Sequence, residues 1–283
     1  MTEEHGFSGR RVAAFESRME AEMRRLISRF GGEPHVAPAL REIPLEDNRA
    51  VFEFGDRLLA GDLDMVILLT GVGTRTMVEV LQTRHLLPTI TQALSRITLV
   101  ARGPKPVAAL KELGLSPGIT VPEPNTWRDV LQVLDARSNL KGLRIAVQEY
   151  GASNKNLLEE LRGRGADVTA VPVYRWALPE NLEPLRKVLD TILAGQVDVL
   201  LITNAAQVDH IMHVLSETQQ VAAFRQAVTR MIVASVGPTA SERLRSYGLP
   251  VDLEPSHPKM GLLVKEASEK AAALLAGKRQ SSK

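Results

Sequence analysis

Three short stretches of this chain carry residue types that hold anions. Thr70-Gly71-Val72-Gly73-Thr74 closes the apolar run Met65–Thr70 and opens a helical pattern, with Arg75 beside it. Arg102-Gly103-Pro104-Lys105 ends the run Leu99–Arg102, so two cations flank a second turn of this kind. Ser17 and Arg18 follow the run Arg11–Phe15 in the same way. The first N–H groups of a helix have no partner within it, and the helix dipole favours negative charge there. A neighbouring cation adds charge-assisted hydrogen bonds. The chemistry open to these stretches is the holding of carboxylates or phosphates. Each also reads as an ordinary strand-to-helix turn with solvated cations, and the residues alone leave both readings standing.

Three further turns have the same place in the pattern. In Tyr150-Gly151-Ala152-Ser153 the tyrosine either faces a ligand or packs half-buried, and Ser153 or Asn154 caps the next helix. In Thr203-Asn204-Ala205-Ala206, Asn204 either caps a helix or donates to a ligand. Gly237-Pro238-Thr239 breaks the strand-type run Ile232–Ser235. Thr239-x-x-Glu242 fits a capping box, so a helix is expected from there to near Gly248, with a second strand at Pro250–Leu253.

Other chemistry finds little support. Gly71-Val72-Gly73 suggests a dinucleotide fingerprint, but Thr76 stands where the third glycine belongs and no acidic residue lies near Gln92. His210 and His213 share a helix face, yet no further metal ligands are signalled. With no cysteine there is no thiolate catalysis and no disulfide. No Ser-His-Asp set or carboxylate pair stands out. The net charge of +2 is too mild to point to nucleic acid. The apolar runs are of strand length, short of a membrane span, and the first residues are polar and acidic, unlike a signal peptide. A cytoplasmic protein is expected, monomeric for want of an exposed apolar seam. The tail after Gly277 is expected to be disordered.

The elements that must position these turns repeat. Ile97–Glu123 and Ile232–His257 share a strand, a Gly-Pro turn, a helix and a Pro loop, about 134 residues apart. Asp64–Leu81 echoes Asp198–Leu215, and Gly9–Glu42 echoes Gly142–Trp176. The order is A-B-C-A′-B′-C′, each letter a βα or βαβ unit. The length of 283 residues suits two α/β domains. The Pro-punctuated stretches Val36–Pro44 and Val168–Ala177 close the two A units and are candidate linkers or a two-stranded ribbon. Periodicity allows contiguous halves, or an exchange in which A joins B′ and C′ while A′ joins B and C.

Taken together these residues resemble the uroporphyrinogen-III synthase family. The resemblance runs from about Arg11 to Leu274. It is carried by Val236-Gly237-Pro238-Thr239-Ala240 with Gly248-Leu249-Pro250, and by Gly165-Ala166-Asp167 with Pro172-Val173-Tyr174-Arg175. It implies the exchanged arrangement: two flavodoxin-like parallel-sheet domains, 1–38 with 178–283 and 44–170, joined by a two-stranded ribbon of 38–44 and 170–178. It implies an interdomain cleft lined by the six turns, Ser17–Arg18, Thr70–Thr74, Arg102–Lys105, Tyr150–Ser153, Thr203–Ala206 and Gly237–Thr239.

The implied activity converts linear hydroxymethylbilane to cyclic uroporphyrinogen III in haem biosynthesis, with loss of water, inversion of the last pyrrole ring and no metal or organic cofactor. The implied partner is this small molecule, not nucleic acid or membrane; a transient contact with the upstream enzyme stays open. Tyr174 matches the family's P-V-Y position and is the implied acid for the leaving hydroxyl. Thr239 matches the first Thr of the family's pair and either donates to substrate or caps its own helix. Two departures stand out: Ala240 replaces the second Thr, and Thr203-Asn204-Ala205-Ala206 replaces a Ser-rich turn. They motivate an alternative, a non-catalytic relative that binds a tetrapyrrole or another polyanion. A nucleotide-sugar enzyme is a more distant third reading.

Overall fold

The computed structural model describes residues 6–45, 47–137, 139–151 and 153–281. The chain runs β1 (Arg11–Ala14), α1 (Glu20–Arg29), β2 (Glu33–Val36), β3 (Arg41–Pro44), α2 (Arg49–Leu59), β4 (Met65–Leu68), α3 (Gly71–Gln82), α4 (Leu87–Leu94) and β5 (Thr98–Ala101). It continues with α5 (Pro104–Glu112), β6 (Ile119–Thr120), α6 (Trp127–Arg137), β7 (Arg144–Glu149), α7 (Lys155–Gly163), β8 (Asp167–Pro172) and β9 (Tyr174–Ala177). The last part is α8 (Glu183–Leu193), β10 (Val199–Ile202), α9 (Ala205–Glu217), α10 (Val221–Val228), β11 (Ile232–Ser235), α11 (Pro238–Ser246) and α12 (Met260–Ser281).

Two compact units result. Unit 1 combines Met1–Arg41 with Ala177–Lys283, and unit 2 is Glu42–Trp176. The sheet of unit 1 has the order β11-β10-β1-β2, and that of unit 2 the order β6-β5-β4-β7-β8. All pairings within these two sheets are parallel. β3 and β9 form a separate antiparallel ribbon. Pairing β1 with β10, and β4 with β7, is the exchange that periodicity left open.

An aspartate at the head of one strand locks each exchanged pair. In unit 2 the Asp64 carboxylate accepts the Arg144 amide at 2.8 Å, while the Asp64 amide donates to the Arg144 carbonyl at 2.9 Å. In unit 1 Asp198 does the same for Arg11, at 2.9 Å in both directions. The equivalent residues of the repeat thus make equivalent bonds.

Both faces of each sheet are covered. Along β4, Val66 and Leu68 enter one core of unit 2, while Met65 and Ile67 enter the other. Along β10, Leu200 and Ile202 face one core of unit 1, and Val199 and Leu201 the other. A strand buried on both faces needs apolar residues at every position, hence the unbroken MVIL and VLLI runs. Helix faces complete the cores: Met23 and Ile27 of α1 lie with Val264 and Ala267 of α12, and Val130 and Leu134 of α6 lie with Leu157 and Leu161 of α7.

Four local expectations are corrected. Helix α11 starts at Pro238, with Gly237 as N-cap and no side-chain cap. Proline suits the first helical position because it needs no N–H there, and its presence displaces Thr239 from the cap. Pro250–Leu253 makes a single parallel bridge, Ala234 to Leu253, and is not a full strand. Ala170–Pro172 belong to β8, so the ribbon begins later, at Tyr174. The tail continues α12 to Ser281, while Ser282 and Lys283, like Ala152, lie outside the described residues.

The Asp64 pair yields a pH prediction. The side-chain hydrogen bond from Arg144, then its backbone amide, lower the Asp64 pKa from 3.8 to about 2. A depressed carboxylate contributes stability above its unfolded pKa and loses it as pH falls towards the folded value. Asp64 is 35% exposed, so solvent screening holds the contribution to about 1 kcal/mol. D64N should lower the thermal midpoint at pH 6, and the gap to the wild type should close between pH 4 and pH 2. A constant gap would remove this role.

Candidate functional site

The strand-to-helix turns lie at the carboxyl ends of the two parallel sheets, where open α/β sheets bind ligands. In unit 2 the first turn is built tightly. Thr70 caps α3 by accepting from the Gly73 amide at 3.0 Å, and the Thr74 hydroxyl donates to the Thr70 carbonyl at 2.8 Å. Gln148, fully buried on β7, accepts from the Thr70 amide at 3.2 Å and donates to the Glu149 carbonyl. Both glycines are packing residues. A Cβ on Gly73 would lie 2.1 Å from the Gln148 amide nitrogen, and one on Gly71 would lie 2.5 Å from the Lys105 carbonyl oxygen. Close approach of α3 to α5 and to β7 accounts for the Gly-Val-Gly spacing. Arg75 is spent on Glu112, with bonds of 2.7 and 2.6 Å.

The second cluster of unit 2 gathers Arg102, Tyr150, Gly151 and Trp176. Arg102 Nη1 donates to the Tyr150 hydroxyl at 2.7 Å, and its guanidinium lies 4.9 Å from the tyrosine ring centroid. Tyr150 meets Trp176 edge-on, 5.4 Å between centroids at 77°. Gly103 is the uncapped N-cap of α5, and Lys105 is exposed with no partner among the described residues. Ser153 donates to Glu149 at 2.8 Å, and Asn154 rather than Ser153 caps α7. Tyr174 starts β9 and is buried to 6% exposure among apolar side chains that include Val171 and Val173. The Tyr174 carbonyl accepts from the Gly151 amide at 3.1 Å.

In unit 1 the polar groups serve mostly one another. The Thr203 hydroxyl donates to Glu16 and accepts from Gln207 Nε2 at 2.8 Å. Asn204 caps α9 in a capping box with Gln207. Ala205 and Ala206 open that helix. Ser17 donates to the Leu40 carbonyl at 2.6 Å, and Arg18 leads into α1 with an interaction of its own. Thr239, in the first turn of α11, is exposed and its hydroxyl has no partner among the described residues. Ala240 is buried in the core of unit 1, so this departure removes no exposed hydroxyl. His210 Nδ1 is bonded to the Ala39 carbonyl at 2.7 Å, and His213 pairs with Glu217. Among the described residues no group of three His, Asp or Glu side chains could hold a metal ion, and no helix is long and apolar enough to cross a membrane.

Sequence reading missed the residues that set these turns: Glu16, Gln148, Glu149, Gln207 and Trp176. For Glu16, Gln148 and Glu149 the available signal was a glutamine or glutamate at the end of an apolar run, where polar side chains need buried partners; Gln207 and Trp176 carried none.

The family model described as uroporphyrinogen-III synthase HemD matches residues 21–265. The chain belongs to this family. A crystal structure of a mutant uroporphyrinogen III synthase from the extremely thermophilic bacterium Thermus thermophilus is similar, with TM-score 0.71 and 26% identity, covering 94% of this chain and 99% of that one. A Methanothermobacter thermautotrophicus protein named "Putative uroporphyrinogen-III synthase" is 27% identical over 232 residues, 81% of this chain and 86% of its own. The uncharacterized protein YjjA of Bacillus subtilis is 27% identical over 266 residues, 93% of this chain and 97% of its own. The mixed α/β fold, with two parallel sheets and a small ribbon, is that of the synthase structures. Membership places the chain in a family of tetrapyrrole-biosynthetic lyases.

The packing of Gly71 gives a second prediction. G71A must push α3 from the Lys105 backbone and should cost about 1–3 kcal/mol. G163A, at the end of α7 with nothing within 4 Å, should be neutral or stabilising by up to about 1 kcal/mol. Equal urea midpoints for the two variants would refute the close approach.

Proposed function

We propose that this protein is a uroporphyrinogen-III synthase, converting hydroxymethylbilane to uroporphyrinogen III with loss of water, inversion of the last pyrrole ring and closure. The observation that supports this most is the family match over residues 21–265. The site chemistry agrees with it. A substrate with eight carboxylates needs cations and free amides. Unit 2 offers Arg102, Lys105 with its backbone amide, and the first amides of α3; unit 1 offers the Thr239 amide and exposed hydroxyl at the start of α11. The net change is loss of one water, so the protein's tasks are proton transfer and holding the chain in the inverted closure geometry.

Tyr174 is the proposed acid for the leaving hydroxyl. A phenol with a reference pKa of about 10 keeps its proton at neutral pH and can donate it. Its place at the start of β9, backbone-bonded to Gly151, fixes it relative to Tyr150 and Arg102. The second reading, a non-catalytic binder of a tetrapyrrole or other polyanion, draws support from Thr203, whose hydroxyl is occupied by Glu16 and Gln207.

One coupled assay separates the two readings. Hydroxymethylbilane generated in place should give mainly the type III isomer with this protein present. Y174F should slow that reaction by about a hundredfold. Type I isomer alone, as in spontaneous closure, would sink the synthase reading, and an unaffected Y174F would end the role of Tyr174.

A further inference from the structure

We propose that Trp176 is a positioning residue for Arg102, acting through Tyr150, so that Arg102 is held ready for a substrate carboxylate. This deepens the reading above and rests on Arg102 as a carboxylate holder. The four groups lie within unit 2.

The arrangement is a brace with a free end. Trp176 on β9 contacts Tyr150 edge-on at 5.4 Å, a geometry that aromatic pairs favour. The next residue, Gly151, has φ of +62°. A Cβ there would sit 2.3 Å from the indole ring, so glycine lets the loop lie directly on Trp176. The Gly151 amide donates to the Tyr174 carbonyl at 3.1 Å, which ties the same loop to the same strand a second time. Tyr150 is thereby fixed, and its hydroxyl accepts from Arg102 Nη1 at 2.7 Å.

That bond uses one corner of the guanidinium. Nε and Nη2, the fork that suits a carboxylate, have no partner among the described residues. Arg75 shows the opposite case, since its Nε and Nη2 both go to Glu112. Arg102 is therefore ordered yet unspent. A long side chain that is ordered beforehand loses less entropy when its ligand arrives. Lys105, exposed on the same turn, has no such brace.

A double-mutant cycle tests this. Uroporphyrinogen III, kept reduced without oxygen, would be bound in equilibrium dialysis and its bound fraction read as porphyrin fluorescence after oxidation. R102A should weaken binding about tenfold, as expected for a lost charge-assisted fork. W176A should weaken it to a similar degree, W176F should retain most of it, and R102A with W176A should bind no worse than R102A alone. Y150F, which removes only the oxygen that accepts from Arg102, serves if W176A does not fold. It should weaken binding several-fold, and not at all in the R102A background. Losses that multiply in the double variants, or tight binding by R102A, would overturn the proposal. The readout needs no turnover, so the two ideas fail separately. Arg102-dependent binding with only type I product would sink the synthase reading alone. Type III product with binding indifferent to R102A would sink the proposal alone.

Discussion

Each sheet is closed by a strand from a distant part of the chain, and one carboxylate holds each closure. Asp64 receives the amide that begins β7, and Asp198 receives the amide that begins β1. These bonds fix register at the amino ends of the central strands. Register then decides which residues emerge at the carboxyl ends, because a shift of one residue would turn every side chain to the other face. The places of Thr70, Arg102, Tyr150, Thr203 and Gly237 all follow from that alignment. Asp64 is also embedded with Asp62 and Arg57 in a charge network around Arg144, whereas Asp198 makes its lock through the Arg11 amide.

The turns themselves are set by buried amides. Gln148 reaches the Thr70 amide from β7, while Gln207 reaches the Thr203 and Asn204 amides from within α9. The two units thus meet one requirement, a satisfied turn at the end of the second strand, by side chains from different elements. The solutions differ in what they leave over. In unit 1 the Thr203 hydroxyl is consumed by the structure, and Thr239 keeps its own. In unit 2 the Thr74 hydroxyl is given to the Thr70 carbonyl and the Thr70 oxygen accepts from Gly73, and the cations of the neighbouring turn remain available.

The repeat was legible because buried parallel strands leave unbroken apolar runs, and MVIL and VLLI stand out in any reading. The exchange was not, because pairing partners leave no mark on periodicity; family resemblance supplied it. Boundaries failed where two local rules compete. Thr239 with Glu242 has the form of a capping box, but the fixed φ of Pro238 starts the helix there and moves the cap two residues back, to Gly237. Gly71 and Gly73 looked like a cradle for phosphate, and their cause is the backbone of Lys105 and the amide of Gln148, which lie 34 and 75 residues downstream. Trp176 was silent for the same reason. Its partner Gly151 is identifiable as a glycine, but the ring that requires it is known only from the fold.

The exchange has a consequence for how the protein is born. On a ribosome β4, β5, β7 and β8 emerge in one continuous stretch, and Asp64 waits 80 residues for Arg144. Arg11 must wait 187 residues for Asp198. The segment that leaves the tunnel ahead of unit 2, with the apolar face of α1 and the pair β1–β2, therefore stays without β10, β11 and α12 while an entire unit folds behind it. Closing so long a loop adds little to the equilibrium cost, which grows only with the logarithm of its length. Its weight falls on time, during which Met23 and Ile27 lack the α12 side chains, such as Val264 and Ala267, that complete their core.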